Sequence, residues 1–217
     1  MNYAAVRQRM VESQIRTNRV TNSKVIEALR AVPREVFVPK SMRGIAYVDE
    51  SIDLGGGRYL IEPLVFASML QAVDIKTSDV VLDIGCVTGY SAAVLARLAS
   101  TVVAIECDSE MVGRSGALLS EQKIDNVAVV SGNLADGDAA HSPYQVIVIE
   151  GAVARIPDVL LRQLSDGGRL VAVVNGESGL GRVTLVTRTG NSFSTRRVFE
   201  AFAHCLPGFQ RKPGFAF

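Results

Sequence analysis

The sequence predicts a doubly wound α/β fold, in which a helical segment precedes a mostly parallel seven-stranded sheet with a C-terminal antiparallel hairpin. From Asp79 onward, short apolar runs alternate with helical stretches. This order requires right-handed crossovers and helices on both faces of a parallel sheet. Only residues 188–194 join the last two runs, and so short a link suits a hairpin. We expect one domain, 1–217, made of a helical segment at 1–75, a core at 76–175 and C-terminal strands with a tail at 176–217.

Helical spacing of apolar residues predicts two helices in the first third of the chain. Their apolar positions are Val6, Met10 and Ile15, then Val25, Ile26 and Leu29. Thr21 or Asn22 can cap the second helix, and prolines at 33 and 39 end this region. Glycines at 55–57 predict a flexible turn, and Pro63 opens a third helix that runs to about Val73.

Seven strands and three helices are predicted downstream. The strands are the apolar runs 80–82, 101–105, 127–130, 146–149, 169–174, 183–187 and 197–201. The helices are expected at 90–99, 108–120 and 157–164, and a turn at 166–168 leads into the fifth strand. Asp83 and Glu106 directly follow the first two strands, which places both acids at the carboxyl edge of the predicted sheet.

Composition and charge exclude several classes of protein. Lys and Arg number 23 against 22 Asp and Glu, without a block of like charge, so no nucleic-acid surface is predicted. Charged residues or glycines interrupt every apolar run before it reaches membrane-spanning length. The three cysteines are widely spaced, without a second Cys or His at metal-ligand spacing, so no metal is expected. Their odd number and the absence of a signal peptide pattern indicate a cytoplasmic protein.

The most informative motif is the glycine turn at 83–90, which follows a predicted strand and opens a predicted helix. Gly85 permits the tight turn. Gly89 allows close approach to the start of the helix, whose free N–H groups can face a cofactor carboxylate. Glu106 lies where an acidic residue usually accepts hydrogen bonds from ribose hydroxyls. The alternative is a plain strand–turn–helix with an unrelated surface Glu106.

From Val11 to about Val174 the chain resembles the protein-L-isoaspartate O-methyltransferase family. The segments that carry the resemblance are 10–15, 31–39, 46–49, Pro63, 83–96 and 160–170. They include the helical N-terminal segment, which makes the resemblance specific to this family rather than to methyltransferases in general. The resemblance implies a Rossmann-like fold and S-adenosylmethionine as the cofactor.

The resemblance also implies a reaction and a set of site residues. The family repairs damaged proteins by methylating the free α-carboxylate of L-isoaspartyl residues, so an isoaspartyl protein or peptide would be the partner. The acceptor carboxylate is already ionised, and the protein need only align it with the methyl group. The implied cofactor contacts are Asp83, Gly85, Cys86, Gly89, Glu106, Asn133 and Leu134. The implied acceptor contacts are Gly57, Tyr59, Leu60 and Ile61, with Ile61 and Glu62 at the catalytic positions.

Three departures from the family pattern concern the site directly. Val87 replaces the middle glycine of the turn: either it holds a left-handed conformation that suits β-branched residues badly, or its φ is negative and it narrows the pocket. Ile61 and Glu62 stand where the family has serine and glutamine, and isoleucine cannot donate a hydrogen bond to a carboxylate. Asn133 stands where the family has aspartate near the adenine.

Several alternatives therefore stay open at this point. Arg58, Tyr59 and Glu62 could form a self-paired loop. Cys86 either faces the ligand or is a small buried thiol. The tail at 206–215 could pack on the sheet or on a partner. The leading hypothesis is a methyltransferase of this family; the others are a methyltransferase with a different acceptor, a non-catalytic binding or regulatory protein, and a nicotinamide-dependent oxidoreductase.

Overall fold

The computed structural model describes residues 1–176 and 180–210. A small hairpin joins β1 (Ile52–Asp53) to β2 (Tyr59–Leu60). The main sheet has seven strands: β3 (Val80–Ile84), β4 (Thr101–Glu106), β5 (Val127–Ser131), β6 (Tyr144–Val153), β7 (Leu164–Asn175), β8 (Gly181–Thr189) and β9 (Ser192–Glu200). Their order across the sheet is β5-β4-β3-β6-β7-β8-β9.

The direction of the strands confirms the predicted fold class. The five strands β3 to β7 are parallel to one another, whereas β8 is antiparallel to β7 and to β9. Because β4 and β6 lie on opposite sides of β3, the winding of the chain reverses beside β3. In open α/β sheets, ligands bind outside the carboxyl ends of the strands at such a reversal. The fold therefore directs attention to the residues that follow β3, β4 and β6.

Six α-helices are present in the described residues: α1 (Tyr3–Met10), α2 (Ser23–Ala31), α3 (Pro63–Val73), α4 (Tyr90–Leu95), α5 (Ser109–Glu121) and α6 (Asp158–Arg162). Asn22 caps α2, because its side chain accepts the N–H groups of Lys24 and Val25. Pro63 opens α3, as predicted. The chain continues from α1 through a π-turn at Val11–Ile15 and a 3₁₀ turn at Arg16–Asn18. None of the described helices is both long and apolar enough to cross a membrane.

Most elements begin or end some residues away from the predicted bounds, as in β8, β9 and α6, and three of the differences have a visible physical cause. Helix α4 ends at Leu95 rather than at residue 99, because the N–H groups of Arg97 and Leu98 bond three residues back in tighter turns. Strand β6 runs on to Val153, where it gains a new neighbour in Cys205. The predicted turn at 166–168 is instead an irregularity inside β7, where the register against β6 shifts and Gly167 has φ +73°.

Candidate functional site

The glycine turn between β3 and α4 has three residues with positive φ. Gly85, Val87 and Gly89 have φ values of +86°, +51° and +92°. Val87 thus has a left-handed conformation, and the alternative of a negative φ is wrong. A non-glycine residue in this region costs of order 1–3 kcal/mol. Burial of the Val87 side chain and the 2.9 Å hydrogen bond from its N–H to Oε2 of Glu106 hold it there.

Asp83 and Cys86 lie buried at the base of this turn. Oδ2 of Asp83 accepts a 2.7 Å hydrogen bond from the Ser91 hydroxyl, and Oδ1 has no protein partner among the described residues. Burial raises the pKa of Asp83 to about 7, the charge of Glu106 adds to this, and the Ser91 bond opposes it. Burial also raises the pKa of the Cys86 thiol well above its usual value. Of the two alternatives for Cys86, the structure favours the small buried thiol.

Glu106 ends β4 and makes a buried ion pair with Arg58, which the sequence did not reveal. Nη2 and Nε of Arg58 donate to the two carboxylate oxygens at 2.7 and 3.2 Å. The N–H groups of Val87, Cys107 and Asp108 donate to the same carboxylate. Burial by itself would raise the pKa of Glu106, but the bonds and charge of Arg58 outweigh it and hold the pKa below its usual value. Glu106 is therefore an ionised carboxylate whose oxygens are already occupied.

Arg58 and Leu206 cover the turn. A Cβ atom at Gly85 would lie 3.0 Å from Nη2 of Arg58 and 3.3 Å from the methyl groups of Leu206. Leu206 belongs to a segment that runs beside the end of β6, since the N–H of Leu206 donates to the carbonyl of Ala152 at 2.9 Å. The first part of the tail at 206–215 thus packs on the sheet, which was one of the two alternatives for the tail. The part from 211 to 215 lies outside the described residues.

Asn133 and Leu134 follow β5 at the same edge of the sheet. Leu134 is buried in an apolar cluster that also contains Leu206 and Phe209. Asn133 is exposed, and its side chain bonds within its own loop to the N–H of Ala135 and to Asp136. Asn133 therefore supports the loop in this conformation, and Leu134 supports the segment that covers the turn.

The segment 57–61, which the resemblance assigns to the acceptor and which is called the acceptor segment below, begins at the last of the three glycines. The ring of Tyr59 stacks on His204 at 3.5 Å between centroids, Leu60 and Ile61 are buried, and Gly57 is exposed. The carbonyl of Ile61 accepts a 2.6 Å bond from the buried Arg34, which anchors the segment to the N-terminal region.

Glu62 is half-buried just before α3. Burial raises its pKa, and the charges of Asp49 and Glu50 add to this. The idea that Arg58, Tyr59 and Glu62 pair among themselves is wrong, because Arg58 and Tyr59 bind partners elsewhere in the chain.

Glu150 is a third acid at this edge that sequence reasoning missed. It lies in β6 and is 4% exposed, with its Oε1 atom unpartnered within the described part of the chain. Burial and the nearby charge of Asp83 raise its pKa well above the usual value. The signal was available, because Glu150 follows the predicted strand 146–149 as Asp83 and Glu106 follow theirs.

The cavity between the 57–61 segment, Glu150 and the segment around His204 does not fit a nucleoside in this conformation. The cavity lined by Arg58, Tyr59, Ile61, Glu150 and His204, among others, has a volume of about 10 Å³, which suffices for about one water molecule. The backbone of the turn has positive φ at Gly85, Val87 and Gly89. However, Arg58 occupies the Glu106 oxygens that would accept ribose hydroxyls, and together with Leu206 it covers Gly85.

Comparisons with known proteins identify the family. A sequence model described as protein-L-isoaspartate(D-aspartate) O-methyltransferase matches residues 5–203. A protein-L-isoaspartate O-methyltransferase of Methanoculleus marisnigri is 38% identical over 85% of this chain and 84% of its own length. One of Rhodopseudomonas palustris is 37% identical over 87% and 77%.

Solved structures agree with these relatives. A protein-L-isoaspartate O-methyltransferase superposes with a TM-score of 0.81 at 25% identity, over 93% of this chain and 66% of that one. A Plasmodium falciparum structure of a β-aspartate methyltransferase with S-adenosyl-L-homocysteine has a TM-score of 0.79 over 95% and 98%, and at 16% identity it supports the fold alone. The chain belongs to the protein-L-isoaspartate (D-aspartate) O-methyltransferase family, the S-adenosylmethionine-dependent methyltransferases that its sequence predicts.

Proposed function

We propose that this chain transfers a methyl group from S-adenosylmethionine to the free α-carboxylate of L-isoaspartyl residues in damaged proteins of the cytoplasm. The observation that carries the proposal is the glycine turn. Its three positive-φ positions survive the replacement of the middle glycine by Val87, and Glu106 stands at the end of the next strand. The family match over residues 5–203 supports the same reaction. The free cysteines among the described residues agree with a reducing compartment.

Two groups of residues would share the work. We assign the cofactor side to Asp83, Gly85, Gly89, Glu106, Asn133 and Leu134, with Cys86 as the buried thiol inside the turn, and the acceptor side to Gly57, Tyr59, Leu60 and Ile61. The cofactor supplies an electrophilic methyl group when bound. Arg34 would position the acceptor segment through the Ile61 carbonyl, while buried Leu60 and Ile61 exclude water. An isoaspartyl carboxylate is ionised at neutral pH, so no side chain has to remove a proton.

Ile61 makes this acceptor side poorer than that of the family pattern. Its side chain offers no donor to a carboxylate, so we expect slow transfer by the wild-type chain. Threonine and valine have nearly the same shape and differ by one hydroxyl. A hydrogen bond to a charged group contributes about 1.5–3 kcal/mol. We therefore expect Ile61→Thr to methylate an isoaspartyl peptide at least about tenfold faster than Ile61→Val.

The test is the transfer of labelled methyl groups to an isoaspartyl peptide, with the matched aspartyl peptide as control. The expected product is a base-labile methyl ester on the isoaspartyl peptide alone. Equal rates for Ile61→Thr and Ile61→Val would show that residue 61 does not contact the acceptor. If neither the wild type nor Ile61→Thr labelled the isoaspartyl peptide, the proposed acceptor would be wrong.

A further inference from the structure

We propose that Arg58 is an internal occupant of the cofactor site, and that its guanidinium must leave Glu106 before S-adenosylmethionine can enter. The inference rests on the proposed function, because it assumes that Glu106 serves the cofactor. It adds a regulatory contact within the same site. In this view the described conformation is the closed state of the protein, and Arg58 sets how tightly the cofactor binds.

The first support is the chemistry of the contact. The two N–H groups of Arg58 that face Glu106 donate to its carboxylate oxygens at 2.7 and 3.2 Å, and ribose hydroxyls are also hydrogen-bond donors. The side chains of Arg58 and Glu106 are 2% and 0% exposed, so neither charge has water as an alternative partner. A buried carboxylate without a partner is strongly destabilising. Arg58 therefore supplies Glu106 with a counter-charge and with hydrogen-bond donors, and donors are what this carboxylate would also take from the ribose of a cofactor.

The second support is the position of Arg58 over Gly85. Its Nη2 atom lies 3.0 Å from the position that a Cβ atom at Gly85 would occupy. Glycine at such a place leaves the backbone open to a ligand, and here the opening is filled by the protein itself. On its other side Arg58 lines a cavity of about 10 Å³ with Tyr59 and Glu150, far below the several hundred Å³ of ordinary ligand pockets, so a nucleoside does not fit there either. Entry of a nucleoside therefore requires the guanidinium to move.

The third support is the loop that carries Arg58. The preceding residues Gly55, Gly56 and Gly57 have φ values of +90°, +60° and +72° and are all exposed. Cβ atoms at Gly55 and Gly57 would meet nothing within 4 Å, so the loop is not packed against the core. Three hydrogen bonds close it: Leu54 N–H to the Arg58 carbonyl and Arg58 N–H to the Gly55 carbonyl, both 2.9 Å, and Gly55 N–H to Oδ1 of Asp53 at 2.8 Å. The three glycines can change conformation without a packing cost.

Removal of the Arg58 side chain distinguishes two roles for this residue: support of the fold alone, or competition with the cofactor for Glu106. If Arg58 only supports the fold, its loss lowers stability and leaves cofactor affinity unchanged or weaker. If Arg58 competes for Glu106, its loss makes binding tighter. Binding affinity and thermal stability must therefore be measured on the same variants.

The experiment is calorimetric titration of the full chain with S-adenosyl-L-homocysteine. We expect Arg58→Ala to bind at least tenfold more tightly than the wild type. Arg182→Ala is the matched control, because it removes an arginine that is paired with Glu200 on the exposed C-terminal strands, and it should bind like the wild type. If Arg58→Ala does not fold, Arg58→Met keeps most of the apolar stem and is read in the same way.

The other outcomes overturn the proposal in distinguishable ways. Equal affinity of the wild type and the Arg58 variant would mean that Arg58 does not obstruct the site, and the methyltransferase proposal would stand. If neither folded protein bound S-adenosyl-L-homocysteine, removal of Arg58 would not be sufficient for binding. Both the Arg58 proposal and the proposed use of the cofactor would then be wrong. If Arg182→Ala also bound more tightly than the wild type, the gain in affinity would be an effect of net charge. This result would also overturn the Arg58 proposal.

Discussion

The glycine turn at 85–89 and the glycine loop at 55–57 each contain three residues with positive φ, but the two segments hold them by different means. In the turn, the middle position is a buried valine whose N–H bonds to Glu106. In the loop, all three positions are exposed glycines, with open space beside Gly55 and Gly57. The turn is thus imposed by its surroundings, whereas the loop depends on the residue type alone.

This difference teaches which part of a ligand site tolerates substitution. The turn keeps its backbone shape although a residue poorly suited to it has been introduced. The loop consists of glycines, and it places Arg58 against Glu106 and Gly85. Backbone shape and ligand space are therefore separate properties, and a motif match reports only the first.

The largest expected effect comes from breaking the contact between the two segments. Glu106→Gln leaves the buried Arg58 without its counter-charge, and breaking a buried pair costs about 3–5 kcal/mol. Urea unfolding should show this loss in the free energy of unfolding. The matched control, Glu200→Gln, removes an acid from the exposed pair with Arg182 and should change stability by less than about 1 kcal/mol. Similar values for the two variants would mean that Arg58 is not tied to the site.

A smaller effect is expected from the pH dependence of the turn. The pKa of Asp83 is raised to about 7 by burial, above its value in an unfolded chain, so the folded state binds the extra proton. Protonation of Asp83 stabilises the folded state at low pH, and this stabilisation is lost as the pH rises from about 4 to 7. Relative to Asp83→Asn, the wild type should lose up to about 1.4 kcal/mol per pH unit in this window. Urea unfolding at pH 5, 6 and 7 measures the difference, and parallel curves would contradict it.

The smallest effect is expected at Val87 itself. Val87→Gly relieves a left-handed conformation that costs about 1–3 kcal/mol, but it loses a buried side chain and adds backbone freedom to the unfolded state. These contributions oppose each other, so we expect a net change below about 1.5 kcal/mol. Val148→Gly, in the buried centre of β6, has no strain to relieve and should cost about 3–5 kcal/mol. Equal losses in urea unfolding would show that Val87 is not strained.

Local patterns predicted the scaffold of the site well. Asp83, Gly85 and Gly89 lie in one strand–turn–helix, and such an element follows from neighbouring residues alone. The cap at Asn22 and the start of α3 at Pro63 were predictable for the same reason. The bulge around Gly167 was not, because a glycine turn that stops a strand and one that interrupts it look alike in sequence.

Long-range partners could not be predicted in this way. Arg58 and Glu106 are 48 positions apart, and nothing near either residue specifies the other. Leu206 reaches the turn only because its segment pairs with the end of β6, a contact between distant parts of the chain. Glu150 was within reach, since acids after successive parallel strands meet at one edge of the sheet.

The stacked rings of Tyr59 and His204 have a mechanical consequence. Tyr59 is the next residue after Arg58, and His204 lies two residues before Leu206. A displacement of either segment must therefore separate the two rings or pull the other segment along. If the rings stay stacked, the segments around Tyr59 and His204, almost 150 positions apart in the chain, move together. A displacement of the C-terminal segment then also displaces the glycine loop.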